Sequence, residues 1–267
     1  MTTVAYTIAD STTLFRRNVR RLRRYPSMTV LLIGMPIVFL LLFDGVFGGQ
    51  LSHGLGRSLS GGHVGRAAYL NYVTPGILLV MVAASVQGTA IVVAMDMTSG
   101  IIDRFRSMAI ARSAVLIGHV LASLVQVVLS FGVVVGVAVA VGFRPTADAL
   151  AWFGAVGIIV VFAFALIWLA TALGLAAKSV ETASNTPMFL TLLPFLGSGF
   201  VPTATMPEGL RQFAEYQPFT PVTETLRGLL TGTGIGTNAI AAVAWSVGVA
   251  LVSYLWARNA YDHHGPR

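Results

Sequence analysis

Between residues 28 and 256 the chain is a series of apolar runs of bilayer-crossing length, broken by short polar stretches. A helix needs about 20 apolar residues to cover the hydrocarbon core, roughly 30 Å thick. In lipid every backbone N–H and C=O must be paired within the protein, which makes such runs helices. Six are expected, over about 28–47, 75–95, 114–141, 150–177, 184–201 and 238–256. Only 10% of the residues are charged, where a soluble domain averages about a quarter. The fold class is therefore an all-α integral membrane protein with six transmembrane helices.

Details of each run sharpen the picture. Pro36 can kink the first, and Asp44 lies near its far end, where its charge can reach the interface. A mid-bilayer carboxylate would cost about 2.5–3.5 kcal/mol on insertion scales. Residues 48–71 form a glycine-rich loop whose His53 and His63 read as solvated side chains. Tyr69 and Tyr72 are expected as interface anchors of the second run. The third is longer than a crossing requires, so it tilts or protrudes. Its His119 reads as a histidine packed against a neighbouring helix.

The N-terminal stretch before Pro26 winds Leu14, Phe15, Val19, Leu22 and Tyr25 onto one helical face. Arg16, Arg17, Arg20, Arg21, Arg23 and Arg24 cover the other. A helix of this kind lies in the interface with its arginines among anionic headgroups. Taking this end as cytoplasmic, 12 of the 17 Lys and Arg fall on cytoplasmic segments, as the positive-inside rule requires. Both termini are then cytoplasmic. The net charge of +7 reads as topology charge and not as a nucleic-acid surface. Three regions follow: an interfacial helix over 1–27, a transmembrane domain over 28–257 and a cytoplasmic tail over 258–267.

Prolines concentrate between Pro187 and Pro221. Two short amphipathic helices are expected there. One starts at Pro207 and carries Leu210, Phe213 and Ala214; the other starts at Pro221 and carries Leu226, Leu229 and Leu230. Both are too short to cross, so they form either a hairpin dipping into the membrane with its backbone buried against protein, or an external loop with two surface helices.

Residues 96–112 are a polar island reading Asp-Met-Thr-Ser-Gly-Ile-Ile-Asp-Arg-Phe-Arg-Ser-Met-Ala-Ile-Ala-Arg. At about 100° per residue, Ile101, Ile102, Phe105, Met108 and Ala109 share one arc. Asp103, Arg104, Arg106 and Ser107 share the other. This predicts a short amphipathic helix with Ser99 as N-cap, and with Asp96 and Asp103 early, where the helix dipole favours them.

The stretch Gly100-Ile101-Ile102-Asp103-Arg104-Phe105-Arg106-Ser107, followed by Ile110-Ala111-Arg112-Ser113-Ala114-Val115-Leu116, resembles the cytoplasmic loop of ABC-2-type transporter permeases. The daunorubicin/doxorubicin-resistance permeases are the nearest subfamily. Asp96 and Gly100 match the acidic residue and glycine that open the family motif, whereas Ala109 stands where the family usually has proline. The resemblance implies that residues 101–108 are a coupling helix docking on a separate ABC ATPase subunit. Arg104, Arg106 and the Ile101–Phe105–Met108 face would then carry the load. It also implies an interfacial connecting helix at the N-terminus and a re-entrant hairpin between the fifth and sixth spans. A second permease chain, identical or paralogous, completes the membrane part, with the second and fifth spans lining the path.

What the residues lack points the same way. There is no Walker A lysine motif, so ATP and Mg are expected on the partner ATPase and no cofactor or metal in this chain. No cysteine is present and no histidine cluster has metal spacing. The spans hold almost no ionisable residue at mid-depth, where an ion-coupled carrier usually keeps some. No nucleophile-and-base set marks a membrane enzyme. The expected function is a permease moving a lipophilic drug, natural product or lipid outward across the cytoplasmic membrane. An ATP-independent carrier or channel is the alternative.

Overall fold

A computed structural model describes Thr12, Thr13, 15–18, Arg20, 26–47, 66–99 and 112–263, and every regular element among these residues is helical. A helical stretch comes first, described at Thr12, Thr13, 15–18 and Arg20. Helix α1 (Pro26–Leu42) then runs into a π turn (Phe43–Phe47), and α2 (Arg66–Thr98), α3 (Arg112–Val141) and α4 (Ala149–Ala176) are long. Shorter pieces follow: α5 (Val180–Asn185), α6 (Met188–Leu192) and 3-10 turns at Leu193–Leu196 and Thr203–Thr205. Helices α7 (Glu208–Tyr216), α8 (Phe219–Thr231) and α9 (Asn238–His263) end the chain.

Among the described residues, α2, α3, α4 and α9 are long and apolar enough to cross a membrane. The first expected run is a shorter regular helix of 17 residues, which the five-residue π turn extends to a rise of about 30 Å. The fifth is not one helix. Pro187 sits between α5 and α6, Pro194 lies in the first 3-10 turn, and Gly197 and Gly199 follow. Proline removes a backbone donor and clashes with the preceding turn, so the run breaks where its prolines fall. The sixth helix continues past the expected end at residue 256, through Arg258 to His263.

Helix α2 is the core. Every residue from Val73 to Ala83 is buried, as suits a helix apolar on all sides. Its neighbours approach through small residues, the means by which helices pack where lipid removes the hydrophobic drive. A Cβ on Gly174 of α4 would come within 2.7 Å of the Ala90 carbonyl oxygen, and one on Gly76 within 2.6 Å of the Gly199 carbonyl oxygen. By contrast α3 and α9 leave Leu129, Val133, Ile240, Leu251 and Val252 exposed, an apolar periphery fit for lipid.

Contacts along α2 serve as a ruler. Asn71 exchanges two hydrogen bonds with the backbone of Arg144 in the α3–α4 turn, at 3.1 and 3.0 Å. Ala90 lies against Gly174, just before α4 ends. From Asn71 to Ala90 the helix rises about 28 Å, close to one hydrocarbon thickness. Asp96 stands one to two turns beyond that level.

Three local expectations change. Tyr69 is fully buried and Tyr72 is engaged by other elements, so neither anchors an interface; α2 starts at Arg66, well before Pro75, and puts both inside the bundle. Asp44 is also buried, held in the π turn instead of reaching outward. Helix α8 begins at Phe219, two residues before Pro221, which occupies its first turn, where a missing N–H costs nothing.

The glycine contacts generate a paired prediction. Gly76→Ala should destabilise the protein by about 1–3 kcal/mol, because the three atoms nearest the added Cβ are all Gly199 backbone. Gly88→Ala, with nothing within 4 Å of the added Cβ, should stabilise by about 0.5–1 kcal/mol. Thermal unfolding in detergent checks both; equal melting temperatures would refute the close approach of α2 and residue 199.

Candidate functional site

The last turn of α2 carries Asp96, whose side chain is 3% exposed. A carboxylate at a helix C-terminus is disfavoured by the helix dipole, and burial adds a desolvation cost. Two groups offset both. Arg17 donates from Nη2 to Asp96 Oδ2 at 2.6 Å. His119, itself buried on α3, places Nε2 3.3 Å from the same oxygen. The carboxylate thus joins the N-terminal helical stretch, α2 and α3 at one point.

Asp96 and His119 stand on the two helices that flank the polar island, which leaves α2 after residue 98 and re-enters α3 at Arg112. Ser99 directly follows α2, and the helix it was expected to cap lies outside the described residues. The Ser99 N–H donates to the Met95 carbonyl and its Oγ to the Asp96 carbonyl, closing α2. Asp96 therefore belongs to the end of α2 and not to the start of the next helix. Gly100, Ile101, Ile102, Asp103, Arg104, Phe105, Arg106 and Met108 lie outside the described residues, as do Arg21, Arg23 and Arg24. Arg16 and Arg20 are exposed on the helical stretch; Arg17 instead turns into the protein.

A second polar centre lies at the Asn71 end. Arg227 of α8 is buried, with its guanidinium carbon 3.9 Å from the Tyr72 ring centroid. It donates to the Tyr72 carbonyl from Nε and Nη2, at 3.3 and 3.1 Å, and to the Ser198 carbonyl from Nη2 at 2.7 Å. Its Nη1 pairs with Glu224 one turn back. Tyr72 Oη donates to the same Ser198 carbonyl at 3.1 Å. Nearby, Gln217 Nε2 donates to the Leu193 carbonyl and the Ser198 N–H donates to Thr220 Oγ1. The irregular stretch after Pro194 is thus tied to α8 and α2 by side chains. An aromatic row closes its other side: Phe43 stacks on Phe200, Phe200 on Phe195, and Phe195 meets Phe39 edge-on.

The proline region matches its expected helices in part. Leu226 is fully buried in α8, and Pro207 immediately precedes α7. Leu210 and Phe213 stay exposed, while Ala214 is covered. Arg227 was legible only as one more charge in the topology. Its signal was a Glu-x-x-Arg pair in an otherwise uncharged short helix; its backbone acceptors lie 29 and 155 residues away. No group of His, Asp or Glu among the described residues is arranged to hold a metal ion.

A model of the ABC-2 type transporter family matches residues 10–231. The chain belongs to that family. It is 27% identical over 92% of its length, and 81% of the relative's, to the daunorubicin resistance ABC transporter permease protein DrrB1 of Streptomyces coeruleorubidus. It is 22% identical over 65% of its length, and 64% of the relative's, to the probable doxorubicin resistance ABC transporter permease protein DrrC of Mycobacterium tuberculosis. As an ABC-2 permease with four long apolar helices among the described residues, the chain is a multi-pass membrane protein.

For this permease the Asp96 cluster makes a quantitative prediction. Losing one member of a fully buried ion pair costs about 3–5 kcal/mol. Arg17 is 34% exposed, so Asp96→Asn should cost about 1–3 kcal/mol by the same principle, discounted for solvent. A thermal melt in nanodiscs reads the loss. The double variant Arg17→Ala with Asp96→Asn should recover part of it; strict additivity would rule out the pairing.

Proposed function

We propose that the chain is the membrane subunit of an ATP-driven exporter that moves a lipophilic drug, natural product or lipid outward across the cytoplasmic membrane. The family match over most of the chain carries this reading, and the drug-resistance permeases among its relatives support the cargo class. A separate ABC ATPase subunit, holding ATP and Mg, docks on residues 100–108. A second permease chain, identical or paralogous, encloses the path. The Asp96 end is cytoplasmic, with both termini, and the Asn71 end faces out.

The Asp96 cluster supports a mechanism. When ATP closes the ATPase pair, the 99–112 segment is pushed. Because one carboxylate binds Arg17 and His119, the push reaches the N-terminal helix, α2 and α3 together. Ile101, Ile102, Phe105 and Met108 pack into the docking groove; Asp103, Arg104 and Arg106 set register at its polar rim. Arg16, Arg20, Arg21, Arg23 and Arg24 hold the N-terminal helix on anionic lipid.

The six crossings are α1, α2, α3, α4, the broken 180–201 run and α9. The run is supported as a crossing by its contacts with α2: Gln87 donates to the Ser184 carbonyl, and Tyr72 to that of Ser198. These contacts are separated by about 22 Å of helix rise. The re-entrant reading of 202–231 is supported by α8. Phe219 meets Phe162 at the midpoint of α4, and Leu229 packs on Gly154 near its start. Helix α8 thus begins deep and climbs outward.

The test is ATP hydrolysis in nanodiscs holding this chain with a co-expressed candidate ATPase. The wild type should bind the ATPase and alter its rate. Arg104→Glu should lower binding by about tenfold or more, because it reverses a charge that sets register, and should leave membrane insertion unchanged. Equal pull-down by both chains would remove the docking role of residues 100–108. Flux driven by an ion gradient without ATPase would remove the exporter reading.

A further inference from the structure

We infer that Arg227 is a positioning residue for transport, latching the broken 193–200 run and α8 against α2 and releasing when cargo leaves at the Asn71 end. The inference rests on the exporter reading above. Its physical root is the distribution of bonds between two bodies. Gln217, Thr220 and Arg227 bind the broken run to α8 and the turn before it, so these elements form one unit. The described polar links from that unit to the Asn71 end of α2 are few: Arg227 to the Tyr72 carbonyl, and Tyr72 Oη to the Ser198 carbonyl. Below them Gly76 and Gly199 pack backbone to backbone, which closes the seam at that level. Passage along this seam requires Arg227 to let go of Tyr72.

A buried guanidinium that merely lost its acceptors would be an unpaired charge, at high cost. Glu224 removes that obstacle. It sits three residues earlier on the same helix, so it stays with Arg227 whether the seam is shut or open. It is also about one-third exposed, so the open pair has a route to water. A planar fork reaching Tyr72, Ser198 and Glu224 together is a geometry that arginine offers and lysine does not.

The chain has no cysteine, so one introduced thiol is the only one it carries, and labelling is read on this chain after the subunits are separated on a gel. Ser198→Cys is the reporter: its side chain is buried at the seam, and Ser198 Oγ makes no hydrogen bond that the change would break. The protein, reconstituted with its ATPase, is treated with a membrane-impermeant maleimide with and without ATP. Labelling of the parent should be slow at rest and rise with ATP. Arg227→Lys should speed resting labelling by about tenfold, the scale of one lost charged hydrogen bond, and should flatten the ATP response. Glu224→Gln should keep slow resting labelling and lose the ATP-driven rise. If Arg227→Lys melts and elutes like the parent yet labels at the parent rate, the latch is refuted. If Arg227→Lys does not fold, an unchanged ATP response in Glu224→Gln refutes it instead. A parent with no ATP response beside a working ATPase sinks the exporter reading, and the resting Arg227→Lys comparison still judges the latch.

Discussion

A buried backbone that leaves the helix must find hydrogen-bond partners from protein, because an unpaired buried N–H or C=O is costly. This requirement governs the region from Pro187 to Gly199. Prolines and glycines there end one helix and prevent the next, which leaves the Leu193 carbonyl in only a short 3-10 turn and the Ser198 carbonyl outside any helix. Gln217, Tyr72 and Arg227 supply the missing donors from three places in the chain. Helix α8 and the turn before it are held against the bundle by these bonds as much as by their apolar residues. Phe219 against Phe162 and Leu226 in the core add packing to the same arrangement.

The two polar centres solve one problem at opposite ends of α2. A charge taken from water needs a partner and enough hydrogen bonds to offset desolvation. At the Asp96 end, the carboxylate is the buried group and Arg17 and His119 are its partners. At the Asn71 end, the guanidinium is buried and carbonyls, a ring face and Glu224 receive it. Between them α2 is apolar on all sides and carries small residues where α4 and the broken run approach. A stiff, charge-free rod with a polar junction at each end suits a part that relays displacement from one side of the membrane to the other.

Much of the candidate site was readable before any coordinates. The acidic residue opening the 96–112 island, the basic residues before Pro26 and a packed His119 could each be named from residue type and spacing, and Asp96, Arg17 and His119 are among the described residues. Their convergence could not be named that way. Arg17 is one of six arginines on a uniform face, and only the fold selects it for Asp96. Asp96 was assigned to the wrong helix because helical periodicity does not mark where one helix ends when apolar and polar turns grade into each other. Tyr69, Tyr72 and Asp44 were placed at interfaces by a rule that holds for lipid-facing residues, and these three face protein.

The sequence by itself determined the class of structure: apolar runs of bilayer length, and prolines that interrupt the fifth run. Each is a local property of composition and spacing, so it needs no knowledge of neighbours. Tertiary structure alone decided that α2 is central, that the fifth run is several short helices stapled to α2 and α8, and that Arg227 and Asp96 are junctions. Those outcomes depend on which distant segments meet, Arg227 with Tyr72 and Arg17 with Asp96. Such meetings are set by how small residues let helices approach and by where unpaired backbone and buried charge find partners.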